Sequence, residues 1–109
     1  MAQIGLEIFI PRQHKAEMKR QLKEKWNHQC AYCNYQEKNR ELTVDHITPL
    51  CKGGDDSYEN QVPCCRKCNL SKGNKSVRQW YFDQDCFDIE RWLKIKQHMS
   101  KEQPEIFAA

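Results

Sequence analysis

Seven cysteines punctuate a chain of 109 residues, and four of them fall into two C-x-x-C pairs, Cys30/Cys33 and Cys65/Cys68. A two-residue gap lets one tight turn bring both sulfurs to about 2.3 Å from a zinc ion. Two such pairs complete a four-thiolate set with no open position, the arrangement of a structural rather than a catalytic zinc. Cys64 stands beside Cys65 and could take its place, at a less usual three-residue gap to Cys68. His28, next to the first pair, is a further alternative ligand. Cys51 and Cys86 have no partner by spacing and read as small apolar residues or free thiols.

The stretch between the pairs holds a second group of polar residues. Asp45-His46 ends a short β-branched run, Glu41 to Val44; Asn60 lies 14 residues beyond His46, and Asn69 follows nine residues later, directly after Cys68. Taken one at a time these are ordinary: Asp45 and Asn60 suit turns, His46 suits a surface, and Asn69 suits a helix cap. Taken in order, with the cysteine pairs around them, they resemble the HNH endonucleases, whose site is a ββα-metal motif. The residues that carry the resemblance are Cys30-x-x-Cys33, Asp45-His46-Ile47-x-Pro49, Gly53-Gly54, Asn60, Pro63-x-Cys65-x-x-Cys68-Asn69-x-x-Lys72 and Trp80. They cover about residues 26–80.

That resemblance implies a role for each position. His46 takes the place of the general base that activates water. Asp45 takes the place of a metal ligand. Asn60 takes the place of the middle Asn, which braces the loop between the strands and aims the imidazole. Asn69 falls where many members carry a last, metal-binding His, so the set here is His-Asn-Asn; members with Asn at this place are active. The family also implies DNA as substrate and products ending in 5′-phosphate and 3′-hydroxyl.

The chemistry these side chains offer is consistent with those roles. An imidazole with a pKa near about 6.5 can accept a proton from water at neutral pH. A divalent ion held by Asp45 and Asn69 would act on a phosphodiester as Lewis acid and template. Both of those ligands offer oxygen, which favours Mg²⁺ or Mn²⁺ over a second zinc.

These residues need elements to position them. Lys15 to Trp26 consists of helix formers, and Met18, Leu22 and Trp26 recur at a spacing of four, the stripe of a core-packed helix. Glu41–Val44 and Asn60–Val62 read as two short strands, the second ended by Pro63, with a long turn through Gly53-Gly54 between them. Lys67–Ser71 reads as a helix limited by Gly73, and Asp88–Met99 as a last helix with Ile89, Trp92, Leu93, Ile95 and Met99 on its apolar side. Trp80, Tyr81 and Phe82 read as core. Ile4, Leu6, Ile8 and Ile10 alternate as in a strand or extended arm, and the end beyond Pro104 as a frayed tail. The expected fold is therefore α+β: a small ββα-metal core with flanking helices, stapled by a four-cysteine zinc site. It forms a single domain with an arm and helix over 1–25, the nuclease core over 26–80, and a C-terminal helix and tail over 81–109.

Charge supports a polyanionic partner. Residues 66–78 carry Arg66, Lys67, Lys72, Lys75 and Arg78 and no acid, while residues 41–65 carry five acids and one lysine. Lys72, Lys75 and Arg78 are the expected phosphate contacts, salt-sensitive and blind to sequence. Double-stranded DNA is the expected partner, bound by one chain, a homodimer or a larger complex. No stretch approaches the roughly 20 apolar residues of a membrane span. The odd cysteine count, and a first ten residues that lack a basic start, argue for a reducing compartment, cytoplasmic or nucleoid-associated rather than secreted. Two rival readings share the cysteines: a zinc-stabilised module that binds nucleic acid without cutting it, and a degenerate HNH subunit of a larger machine.

Overall fold

In the computed structural model, residues 12–100 are described; the expected strand at Ile4–Ile10 and the tail past Pro104 lie outside them. The first element is α1 (Arg12–Lys25), in which Leu22 is buried, with Trp26 just beyond its end. Two residues in left-handed conformation, Asn27 and His28, turn the chain out of α1. The His28 amide returns to the Lys23 carbonyl at 2.7 Å, satisfying one of the orphan acceptors at the helix end.

The centre is a two-stranded antiparallel sheet of β1 (Thr43–His46) and β2 (Gln61–Cys64). The register pairs Val44 with Pro63 and His46 with Gln61. The first strand begins two residues later than the sequence implies, because the Leu42 amide is drawn to the Glu37 carboxylate (2.8 Å) instead of a strand ladder. Pro63 sits inside β2 rather than ending it. In a two-stranded sheet both strands are edges, where a missing N–H is tolerated, and the Pro63 carbonyl accepts the Ala31 amide at 2.9 Å.

From β2 the chain passes into α2 (Arg66–Lys72), a short α3 (Val77–Trp80) and α4 (Ile89–Met99). Cys65 caps α2, its sulfur accepting from the Cys68 amide at 3.5 Å. Ser76 caps α3 in a reciprocal box with Gln79, and the Asp88 side chain caps α4. The sequence therefore places both strands, α2 and α4 to within a few residues and does not foresee the short α3; the fold is the expected small α+β one.

The core is a single cluster running from Trp26 through Tyr32, Leu42, Ile47 and Val62 to Val77, Trp80, Tyr81, Trp92 and Ile95. Phe82 is the exception in its aromatic run, 46% exposed while Trp80 and Tyr81 are buried. On α4 the inward face is Trp92, Ile95 and His98; Ile89 and Leu93 are both exposed. At about 100° per residue, Ile89 and Leu93 lie roughly 120° and 160° around the helix from Ile95, the centre of that inward face. No helix among the described residues is long and apolar enough to cross a membrane.

Candidate active site

Two C-x-x-C turns meet at the edge of the sheet. The sulfurs of Cys30, Cys33, Cys65 and Cys68 all lie within 4.8 Å of one another. Cys33 and Cys65 are 3.6 Å apart, close to the roughly 3.8 Å separation that four sulfurs about 2.3 Å from a tetrahedral zinc would have. The set uses Cys65, not Cys64, which sits at the end of β2 with its side chain in the core. His28 is engaged elsewhere, on Glu37. Backbone amides point at the cluster, Tyr32 to the Cys30 sulfur (3.4 Å) and Cys68 to the Cys65 sulfur. Crowding sets the thiols against one another. Hydrogen bonds from Cys33, Cys64 and Cys68 hold Cys30 far below the ordinary thiol range, and contact with Cys30 pushes Cys33 up to about 12. A divalent cation among the four removes that conflict, so the donor set fits a soft-ligand metal. Cys51 is exposed, and Cys86 packs at the margin of the core.

The first turn also reaches the sheet. Tyr32, inside Cys30-x-x-Cys33, is fully buried and donates its hydroxyl to Asp45 Oδ2 at 2.7 Å. Burial first, and then the adjacent Asp45 charge, push the Tyr32 phenol well above its usual value, so it remains a donor. The same carboxylate oxygen meets Lys72 Nζ at 3.0 Å. Lys72 also donates to the His46 carbonyl at 2.8 Å.

Lys72 is thus a correction. It was expected among the phosphate contacts, yet its side chain is wholly buried. It lies four residues after Cys68, on the face of α2 that packs inward, and its ammonium holds Asp45 rather than reaching solvent. Lys75 and Arg78 do lie at the surface, Arg78 with its guanidinium 5.4 Å from the centre of the Trp92 ring.

Asp45 and His46 are consecutive on β1, so their side chains leave opposite faces of the strand. At the strand's end both residues border one open cleft of about 400 Å³, which Asn69 also lines, with Pro49, Leu50, Cys51 and Asn74. Asn69 is in the middle of α2 rather than at its cap, and its amide nitrogen lies 3.4 Å from the Thr43 hydroxyl. The His46 ring, partly exposed, is held from its far side: Nε2 is 2.7 Å from Asp56 Oδ1.

Asn60 ties the loop between the strands. Its side-chain oxygen accepts the Thr48 amide (2.9 Å), and its nitrogen donates to the carbonyls of Thr48 (2.9 Å) and Asp55 (2.8 Å). Gly54 makes room for that contact, since a Cβ there would lie 1.9 Å from the Thr48 carbonyl oxygen. Tyr32 and Asp56 are the residues that sequence reasoning missed. A tyrosine inside a knuckle carries a polar tip that burial obliges to find a partner, a signal that was present. Asp56 had none beyond its place in an acidic turn.

Comparison with known proteins agrees with this geometry. Residues 30–82 match the family model described as HNH endonuclease. The chain is 40% identical over 55 residues to the CRISPR-associated endonuclease Cas9 of Corynebacterium diphtheriae, covering 50% of this chain and 5% of that protein. It is 29% identical over 94 residues to YoqL, an SPbeta prophage-derived protein of Bacillus subtilis, covering 72% of this chain and 38% of that one. Among solved structures it is similar to the Type II-C Cas9 of Actinomyces naeslundii (TM-score 0.61, 20% identity, 83% of this chain and 10% of that one). It is likewise similar to Streptococcus thermophilus Cas9 in complex with AGGA PAM (TM-score 0.56, 22% identity, 78% and 10%). The chain therefore spans well under half the length of these relatives, and the structural likeness concerns the fold. Over residues 30–82 the chain matches the HNH endonuclease family.

Proposed function

We propose that this chain hydrolyses phosphodiester bonds of DNA, with His46 as general base and a divalent ion, Mg²⁺ or Mn²⁺, held by Asp45 and Asn69. The observation that carries the reading is the shared cleft: His46, Asp45 and Asn69 are all lining residues of one open concavity, and a four-sulfur cluster lies in the same core. Three of the similar proteins are Cas9 proteins, one of them described in complex with a PAM, which supports DNA as the substrate class.

In this reading the chain's residues divide the work. His46 takes the proton from the attacking water, which raises its nucleophilicity at the phosphorus. Asp45, fixed by Tyr32 and Lys72, and Asn69, fixed in α2, present oxygen ligands. The bound ion would supply Lewis-acid stabilisation of charge on the phosphate and the leaving oxygen. Asn60 holds the turn that carries Asp56 and so steadies the imidazole from behind. Lys75 and Arg78 contact flanking phosphates. Cys30, Cys33, Cys65 and Cys68 hold a structural zinc that compensates for the small core. We read the chain as one domain built around residues 26–80, working in a reducing compartment such as the cytoplasm.

The test is incubation with supercoiled plasmid and Mg²⁺ or Mn²⁺, with and without chelator, beside His46→Ala. Metal-dependent nicking that disappears in the variant is the expected result. An intact plasmid with retained DNA binding would instead favour a non-cutting nucleic-acid module.

A further inference from the structure

His46 stands between two clefts. One holds Asp45 and Asn69; the other, of about 280 Å³, lies against α1 and is lined by Lys15, Met18, Lys19 and Asp56 among others. The ring nitrogen that meets Asp56 is Nε2. A carboxylate only accepts hydrogen bonds, so in the neutral imidazole the proton sits on Nε2 and the lone pair on Nδ1.

We propose that Asp56 is a positioning residue that fixes both the ring orientation and the tautomer of His46, leaving Nδ1 as the nitrogen that receives the proton from water. The proposal rests on the reading of His46 as base.

The turn that carries Asp56 is built to hold it in place. Gln61, the strand partner of His46, donates its side-chain amide to the Asp56 carbonyl at 2.6 Å. Asn60 holds the preceding carbonyl, that of Asp55, at 2.8 Å. The carboxylate is thus referenced to β2, and β2 is paired with the strand that bears His46. Lys15 and Lys19 are charged groups that line the same cleft, and Asp55 adjoins Asp56 in the turn; Lys19 is engaged with Glu41 at 3.4 Å. As a stabilising pair the contact counts for little, because Asp56 is 58% exposed and surface pairs contribute weakly. Its value is in aiming the ring, the role that partners of functional imidazoles commonly serve.

The experiment uses the zinc-loaded full chain and the variants Asp56→Ala, Asp56→Asn and Asp56→Glu. On plasmid DNA, Asp56→Ala is expected to lower kcat about 10- to 100-fold with KM little changed, the usual cost of losing such a partner. Asp56→Glu and Asp56→Asn, which keep an acceptor oxygen, should recover part of the loss. Zinc content and thermal unfolding should match the wild type in all three. Nitrogen-15 spectra of the histidine rings, with His46 assigned by its loss in His46→Ala, should show a hydrogen-bonded Nε2–H in the wild type that is absent in Asp56→Ala. Turnover of Asp56→Ala within about 2-fold of wild type, or a His46 signal indifferent to the change, overturns the proposal. If the wild type cuts no DNA, the nuclease reading fails, and the spectra alone decide the tautomer.

Discussion

The Tyr32 hydroxyl donates to Asp45 Oδ2 at 2.7 Å, and that single bond joins the first cysteine turn to the cleft. Tyr32 is itself fixed from behind, its carbonyl accepting the Tyr81 hydroxyl at 2.7 Å. The first cysteine turn and the carboxylate are therefore tied together through Tyr32. Tyr32→Phe leaves Asp45 short of a buried donor and should lower stability by about 1–3 kcal/mol. Zinc content should be unchanged by elemental analysis, while the Mn²⁺ concentration needed for half-maximal cleavage rises. Unaltered metal dependence would mean that Asp45 needs no such anchor.

The buried Lys72 separates two kinds of basic residue. Lys72→Met removes one member of a buried pair and should destabilise the protein by about 3–5 kcal/mol, read by chemical denaturation. Lys75→Ala and Arg78→Ala should leave stability nearly unchanged. Instead each should weaken DNA binding and lower its salt slope by about one unit.

Metal removal tests the frame. Stripping the thiolate metal with a strong chelator should unfold the region between residues 30 and 68, because the cluster ties both ends of that segment together. Cys65→Ser should lose about one equivalent of zinc, whereas Cys64→Ser should keep it. Equal loss from both would show that Cys64 shares in ligation.

The loop between the strands should be intolerant at one glycine in particular. Gly54→Ala drives a Cβ into the Thr48 carbonyl, backbone against backbone, and must dislodge the Asn60 brace. A loss of roughly 2 kcal/mol or more and a sharp fall in cleavage are expected. Gly53→Ala meets no atom but adopts φ +92°, so its cost is strain alone, about 1 kcal/mol.

His98 gives the fold a pH dependence of its own. Burial first, then the nearby Lys25 charge, push its imidazole below the ordinary value. Its Nδ1 accepts from Lys25 at 2.7 Å, and its Nε2 lies 2.9 Å from the Tyr58 carbonyl and 2.8 Å from that of Gln61, the contacts of a neutral ring. The unfolded chain binds the proton more readily, so this contribution is present above about pH 6.5 and is lost as pH falls below it. Thermal unfolding at about pH 7.5 and about pH 5.5 should show a larger drop for wild type than for His98→Gln. Thiolate protonation affects both proteins alike and cancels in the difference.

Spacing made much of this site legible. The two cysteine pairs were legible because a two-residue gap sets a tight turn, whereas Asp45-His46, Asn60 and Asn69 stood out only through the resemblance to HNH endonucleases. Direction was harder to read. Lys72 looked like one more cation in a basic run, yet its position four after Cys68 put it on the inner face of α2. Spacing favoured Cys65 over Cys64 and left the latter open; the strand end that carries Cys64 into the core, and the convergence of the other four sulfurs, decide for Cys65. Ile89 and Leu93 looked like core by residue type, but the face of α4 that meets the core is set by Trp92 and Ile95. Asp56 lies ten residues from His46 across a folded turn, a relation that depends on the loop's path and not on any periodicity.

In the proposed reaction His46, Asp45 and Asn69 act at one phosphate, and anomalous diffraction tests this most directly. Crystals of His46→Ala with a short DNA duplex and Mn²⁺ should show manganese between Asp45, Asn69 and a backbone phosphate, with zinc separately among the four cysteines. Manganese bound away from those two side chains, or a phosphate outside the cleft, would contradict it.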